Sequence, residues 1–294
     1  MFNLNHLRLF QAAAEAGSIS HAAETLRLSQ PALSKQIREL EEHLGSTLLE
    51  RQPRGVRPTA AGALLADYAR QIFALEEEAE RCLDDLRGLR RGRLRLGASM
   101  TIGVYLVPAW LAECRRRWPG IGVECRLDNT DRIQRALMEH RLDLGLTEGP
   151  GRWEEALSSR VFRWDDLVLV ASPGAWSPLP RSLAQAARLP WVMRESGSGT
   201  RAVVEQALAR RGLKVTPAWT LNNAEAVKQA VMAGCGLALV PRISVSQELA
   251  AGQLCQIVLR GLHPRRPMRL QWLTGRPMSA AAAAFQSLLT GMPS

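Results

Sequence analysis

Residues 29–45 read SQPALSKQIRELEEHLG, and on a helix they divide into two faces. Leu33, Ile37, Leu40 and Leu44 recur at steps of four, three and four and form one apolar stripe. Gln30, Ser34 and Arg38 recur at steps of four with Lys35 beside them, a row with no need of burial. Ser29 suits an N-cap and Gly45 a stop. Pro31 is tolerated in a first helical turn, where its missing N–H has no intrahelical partner. Hydrogen-bonding side chains near the N-terminus with cations beyond them suit a helix that enters a DNA major groove. An ordinary amphipathic surface helix carries the same stripe, and the residues in front decide between the two.

Leu4, Leu7 and Phe10, with Ala13 and Ala14, predict a first helix, broken at Gly17-Ser18-Ile19-Ser20, where Ser18 or Ser20 can cap the next. Residues 20–27 predict a short helix whose inner Ala22, Ala23 and Leu26 permit a close crossing. Leu28-Ser29 then turns the chain into the long helix, which gives helix, tight turn, helix. The run GSISHAAETLRLSQPALSKQIRELEEHLGSTLLER (17–51), followed by VRPTAAG (56–62), resembles the N-terminus of LysR-type transcriptional regulators. Leu49 departs from the family's usual Phe, an apolar exchange. The resemblance implies an α+β multidomain chain. Its parts would be an N-terminal winged helix-turn-helix, a long linker helix, and a two-lobed α/β effector domain like type 2 periplasmic binding proteins. The corresponding domains are 1–58, 59–92 and 93–294, with lobe one at 93–161 plus 268–294 and lobe two at 162–267.

The wing falls on residues 47–59, read as strand, turn, strand, with Arg51, Arg54 and Arg57 around Pro53-Arg54-Gly55. Arginines on such a turn reach phosphates or a minor groove; a solvated basic loop has the same composition. The DNA-binding candidates are therefore Ser29, Gln30, Pro31, Ser34, Lys35 and Arg38 on the helix, with Arg51, Arg54 and Arg57 on the wing. Residues 59–89 predict one long helix. Leu65, Tyr68, Ile72, Leu75, Ala79, Cys82, Leu86 and Leu89 alternate steps of three and four on an otherwise charged surface. Such a stripe packs on its own chain or on a second helix. In LysR-type proteins it pairs two subunits, so a homodimer or a dimer of dimers is expected, reading an operator of two-fold symmetric half-sites. Gly88 and Gly92, among Arg90, Arg91 and Arg93, read as a hinge.

With 294 residues, two or three domains are expected, and a net charge of +10 favours a polyanionic partner. The excess is carried by arginine, since Lys35, Lys214 and Lys228 are the only lysines. Five scattered cysteines without a CxxC pair fit a reduced, cytoplasmic setting. The five histidines do not sit with cysteines at ligand spacing, so no metal and no cofactor are expected. No signal-peptide pattern or membrane-length apolar run is present.

Beyond residue 93 the pattern alternates strands and helices, which predicts mainly parallel sheets. Among the expected elements are one helix over 101–118, a longer strand or strand pair over 162–171, a strand over 216–221 and a strand over 254–259. Sites in such sheets form where strands run into helices. Gly97-Ala98-Ser99-Met100-Thr101, Glu195-Ser196-Gly197-Ser198-Gly199-Thr200 and Thr147-Glu148-Gly149 are such junctions, and Asn129-Thr130 is another. Hydroxyls, glycine-exposed amides and a helix N-terminus suit a small anion; plain helix capping uses the same residues. The effector-binding candidates are Ser99, Met100, Thr101, Asn129, Thr130, Thr147, Ser196, Ser198 and Thr200. They resemble the CysL-like branch of the family, although Met100 replaces a hydroxyl residue often found there.

An enzyme is not expected. The histidines offer no Ser-His-Asp constellation. Asp165 and Asp166 are adjacent on a strand and point to opposite faces. Gly197-Ser198-Gly199-Thr200 lacks the lysine of a phosphate loop. The expectation is a sequence-specific transcription regulator modulated by a small anion. The alternative is a small-molecule-binding or enzymatic α/β protein with a helical head that does not bind DNA.

Overall fold

The computed structural model describes residues 3–85, 92–150 and 155–291. The chain divides into two compact units, Met1–Glu80 and Arg81–Ser294.

In the first unit, α1 (Leu4–Ala16) buries Leu7, Leu9, Phe10 and Ala13 and stops at Gly17. Ser18, rather than Ser20, caps α2 (Ile19–Leu26), its hydroxyl accepting the His21 N–H at 3.3 Å. Ser29 caps α3 (Gln30–Leu44) through the Ala32 N–H, and Gly45 ends it in the left-handed region. Leu33, Ile37 and Leu40 are buried in one core with α1 and α2, while Leu44 is half-buried. Truncating one of the buried leucines to Ala costs about 2–5 kcal/mol.

The expected wing is an antiparallel hairpin, β1 (Leu49–Gln52) and β2 (Gly55–Pro58), closed by Pro53-Arg54. Two contacts fix it. The Glu41 carboxylate on α3 accepts the N–H of Leu48 at 2.7 Å and of Leu49 at 3.1 Å. The Val56 N–H donates to the Gly17 carbonyl at 2.8 Å. Only glycine allows that approach at position 55, where φ is 121° and a Cβ would stand 2.2 Å from the same carbonyl. Thr59 then caps α4 (Ala60–Asp85), accepting the Gly62 N–H at 3.0 Å. Ala66, Ala69 and Phe73 of α4 enter the core of this unit, so its packing continues past residue 58.

The second unit runs β3 (Gly92–Ser99), α5 (Met100–Tyr105), α6 (Val107–Arg117), β4 (Ile121–Asp128), α7 (Thr130–Met138) and β5 (Leu144–Glu148). Then come β6 (Leu157–Ala171), α8 (Leu183–Ala186), β7 (Val192–Arg194), α9 (Gly199–Ala209), β8 (Trp219–Leu221) and α10 (Ala224–Met232). The chain closes with β9 (Ala238–Pro241), α11 (Arg242–Ala250), β10 (Cys255–Gln256), β11 (Arg265–Leu273) and α12 (Ala280–Gly291). The main sheet has the order β10-β6-β11-β5-β3-β4, with β9 also on β6; β7 and β8 pair apart from it.

The long β6 organises this unit. Its first part, Leu157 to Asp166, pairs with β11, and Leu167 to Ala171 pairs with β9 and β10. Each end has its own core. Leu94, Leu96, Ile102, Leu144 and Phe285 mark one, and Leu167, Leu169, Trp191 and Leu239 the other. Alternation puts Val168 and Val170 on the opposite face of β6, against α10 through Val227 and Val231. The β6–β11 register shifts beside Met268 and Arg269, which face Arg163 and Val161 and leave Phe162 without a partner. Phe162 packs on the first core, its ring 5.5 Å from that of Trp110 and edge-on to it.

Several expectations change. The helix over 101–118 is two helices with a break at Leu106, because Pro108 has no N–H with which to continue the first. The sheets are mixed rather than mainly parallel. β3 pairs in parallel with β4 and β5, but β11 and β6 each return antiparallel. β6 begins at Leu157, five residues early, and the passage to the second core falls after Asp166 rather than at residue 162. The strands expected over 216–221 and 254–259 shrink to Trp219–Leu221 and Cys255–Gln256. Gly92 and Arg93, read as hinge, already belong to β3. Gly88, Leu89, Arg90 and Arg91 lie outside the described residues.

Candidate DNA-binding face and candidate effector site

The apolar stripe turns α3 so that Gln30, Pro31, Lys35 and Arg38 are exposed and Ser34 is half-buried, with Ser29 exposed in front of them. Arg51, Arg54 and Arg57 are exposed on the hairpin. Among the described residues Arg38, Arg51, Arg54 and Arg57 make no ion pair, and Lys35 has only Glu39, one turn on, at 3.8 Å. These cations keep most of their capacity for an outside anion. Sequence reasoning missed Glu41, whose carboxylate clamps the hairpin to α3. A glutamate one turn before a helix stop carries no signal of that role.

The expected seam of α4 divides. Leu65 and Ile72 are half-buried and pack on the first unit's own core, whereas Tyr68, Leu75 and Ala79 are exposed. Own-chain packing therefore claims two of these positions and leaves three. Arg8 of α1 lies over the Phe73 ring at 4.5 Å and pairs with Glu76. The Cys82 side chain and Leu86 lie outside the described part.

The effector candidates also separate. Ser99, Thr101, Thr130 and Thr200 are almost completely buried, and Ser99, Thr130 and Thr200 meet Glu148 or Arg266. Ser99 occupies the N-cap position of α5 yet makes no capping bond; its hydroxyl donates to the Glu148 carboxylate. Arg266 is wholly buried. Its Nη1 lies 2.6 Å from the Thr200 hydroxyl and 3.1 Å from Glu148, and its Nε and Nη2 grip Asp165 at 2.9 and 2.7 Å. The Thr130 hydroxyl donates to the Glu148 backbone carbonyl at 3.2 Å. Thr101 is fully buried and its hydroxyl finds no hydrogen-bond partner among the described residues, which normally costs about 1–3 kcal/mol. Adjacent Asp165 and Asp166 do face opposite ways, one buried and one exposed.

Other candidates serve elsewhere. Ser198 accepts the Arg201 N–H and Asn129 the Arg132 N–H, so both cap helices, as the plainer reading had it. The Asn129 amide also donates to Glu195 at 3.2 Å. Thr147 donates to Gln271 at 2.7 Å, on the far side of its strand from Glu148. Ser196 is exposed and, with Gly197, Asp131 and Arg201, lines an outer cavity of about 250 Å³ that Ser99 and Thr101 do not reach. Met100 is half-buried.

Burial pushes the Glu148 carboxyl above its ordinary range, against the opposing pull of Arg266 and Arg194. Glu195 moves the other way: burial raises it, but the hydrogen bonds and charge of Arg194, a backbone hydrogen bond and the Asn129 amide together outweigh that and hold it below the usual carboxylate range. Sequence reasoning quoted Glu148 without choosing it and missed Arg194 and Arg266. An arginine in a strand, Arg266 beside Arg265 included, reads as an exposed residue. No group of three or more metal-ligating side chains occurs among the described residues. No described helix is long and apolar enough to cross a membrane.

Comparison with known proteins agrees with both parts. Residues 4–63 match the family model described as bacterial regulatory helix-turn-helix protein, lysR family, and residues 87–292 match the LysR substrate binding domain. The chain is 36% identical to the RuBisCO operon transcriptional regulator of Allochromatium vinosum, over 98% of this chain and 95% of that one. It shares the fold of full-length CbnR, a LysR family regulator solved with its target DNA, at a TM-score of 0.72, 22% identity and 98% and 99% coverage. The Synechocystis PCC6803 CcmR regulatory domain in complex with 2-PG is 27% identical, with a TM-score of 0.62, covering 69% of this chain and all of that one. A helix-turn-helix head and a LysR substrate-binding domain in one chain, with relatives named as transcriptional regulators rather than enzymes, make this protein a member of the LysR family of transcriptional regulators.

Proposed function

We propose that this LysR-type regulator binds operator DNA through the polar face of α3 and the arginine hairpin, and that a small anion in the second unit modulates that binding. The observation that carries the DNA reading is the set of exposed side chains Gln30, Lys35 and Arg38 on α3 with Arg51, Arg54 and Arg57 on the hairpin, the four arginines making no ion pair among the described residues. Gln30 and Ser34 discriminate between base edges, and the arginines hold phosphates. The working unit is a homodimer or a pair of dimers in the cytoplasm, joined through Tyr68, Leu75 and Ala79, so that two α3 helices meet two-fold symmetric half-sites. The proposed domains are 1–58, 59–92 and 93–294. Within the last, strand pairing favours a first lobe that extends to Asp166 and resumes at Met268. Selection of DNA from random duplexes by the full chain tests this reading: a two-fold symmetric consensus is expected, and no enrichment sinks it. Leu75→Glu puts a charge into the helix pair and should yield monomers by light scattering.

The effector reading rests on Ser99 and Thr200, joined through Glu148 and Arg266, and on the buried Thr101 hydroxyl of the same strand-to-helix junction as Ser99, which has no hydrogen-bond partner among the described residues. An anionic effector is supported by the CcmR regulatory domain having been solved with 2-PG. Thermal shifts of the full chain over a panel headed by 2-PG, phosphate, sulfate and small carboxylates test it. Thr101→Val, which keeps the shape and removes the hydroxyl, should lose the response.

A further inference from the structure

Glu148 is an unexpected neighbour for an anion site. Its carboxylate already holds the Ser99 hydroxyl and one edge of the Arg266 guanidinium, two of the groups an entering anion would use. Its backbone is held in place. Its carbonyl accepts from Thr130, and the next N–H, of Gly149, is bound to the Pro267 carbonyl at 3.1 Å. On the other side, even a single carbon added at Gly199 would stand 1.9 Å from the Glu148 carbonyl. The surroundings are already short of positive charge. β11 gives Arg266 and β7 gives Arg194, while β6 gives Asp165 and the end of β7 leads to Glu195. β3 contributes the hydroxyl of Ser99 and α9 that of Thr200, while Arg201 of α9 donates to the Arg194 carbonyl at 3.0 Å and is already paired with Glu205 at 2.7 Å. With Glu148 ionised, three carboxylates face two guanidiniums, and a further anion would be a fourth negative group against the same two cations. Carboxylates that share one counter-charge do not all stay ionised; one takes a proton.

We propose that Glu148 is a built-in competitor of the effector, and that an anion enters the site only together with one proton, taken up by the Glu148 carboxyl. This rests on the anion reading above and deepens it. Once protonated, Glu148 accepts from Ser99 through one oxygen and donates from the other, so it changes from rival to hydrogen-bond donor toward the ligand. Arg266 is released from one of its two carboxylates and turns its Nη1 to the ligand beside the Thr200 hydroxyl. Burial already favours the neutral form of Glu148. The regulator would thus answer to the product of anion and proton concentrations.

Calorimetry of the full chain with sulfate tests this, because sulfate stays doubly charged throughout from about pH 5.5 to 8.5 and any proton exchanged belongs to the protein. Wild type should lose about tenfold in affinity per pH unit over the upper part of that range. Heats measured at one pH in buffers of different ionisation enthalpy should report uptake of about one proton per sulfate. Glu148→Gln should bind without pH dependence, without proton uptake, and more tightly than wild type at the alkaline end. If Glu148→Gln does not fold, the buffer comparison on wild type decides alone. Binding that is independent of pH with no proton taken up overturns the proposal; if Thr101→Val still abolishes that binding, the anion reading of the site survives. No sulfate binding by wild type or Glu148→Gln at any pH overturns both.

Discussion

Arg54 and Arg266 carry the same charge in opposite settings. Arg54 stands exposed at the tip of a hairpin and makes no ion pair among the described residues. Arg266 is wholly buried and spends its guanidinium on Asp165, Glu148 and Thr200. The first adds little to folding and is free to meet something outside. The second holds strands and helix together first, and meets a ligand only by giving up a partner. Contact with DNA can therefore be strong and indiscriminate about conformation, while contact with an effector has to reorganise the protein that makes it.

Arg266→Ala should show the largest effect of the contrast. Removing one member of a buried pair leaves Asp165 and Glu148 without compensation, and about 3–5 kcal/mol should disappear from the urea transition of the second unit. A loss below about 1 kcal/mol would place Arg266 in water and erase the contrast. Glu41→Ala comes next, because it strands the amides of Leu48 and Leu49. About 1–3 kcal/mol should leave the first unit, and amide exchange should speed up in the hairpin. Ser198→Ala removes one cap from α9 and should cost about 1 kcal/mol, with effector affinity close to wild type. A large loss of affinity instead would return Ser198 to the binding site. Arg54→Ala should change stability by less than about 0.5 kcal/mol. It should nevertheless weaken binding to specific and random DNA alike, and lower the slope of log affinity against log salt by about 1. An unchanged slope would mean that the hairpin tip does not touch phosphate.

The head was largely legible because its information is local. The caps at Ser18 and Ser29, the stops at Gly17 and Gly45 and the stripe of Leu33, Ile37 and Leu40 are all set within a few residues of sequence. The candidate effector site was legible only as junctions. Ser99, Thr101 and Thr200 stand out as candidates because strands meet helices there. Ser196 and Ser198 were chosen on the same signal, and they face an outer cavity or cap a helix. What separates these groups is Arg266, which comes to them from a strand 66 residues beyond Thr200 and 118 beyond Glu148 in the chain. No period or spacing encodes that meeting. The seam of α4 failed halfway for a related reason: Leu65 and Ile72 satisfy a heptad and also the core of their own head, and a period cannot say which neighbour takes them.

The bulge at Phe162 has a mechanical consequence. β6 and β11 form a ribbon within the main sheet that runs from one core of the second unit to the other, with β5 joining β11 along Met268 to Gln271. Ladder hydrogen bonds make such a ribbon stiff against stretching and sliding, yet compliant in twist, and an unpaired residue is where twist gathers. Phe162 is that residue, and its ring is anchored edge-on to Trp110. Loosening Arg266, three residues along β11 from the irregularity, would relax the ribbon close to its softest point. The motion passed on would then be a torque about the ribbon axis, with little change in its length, and the ring of Phe162 would serve as its bearing.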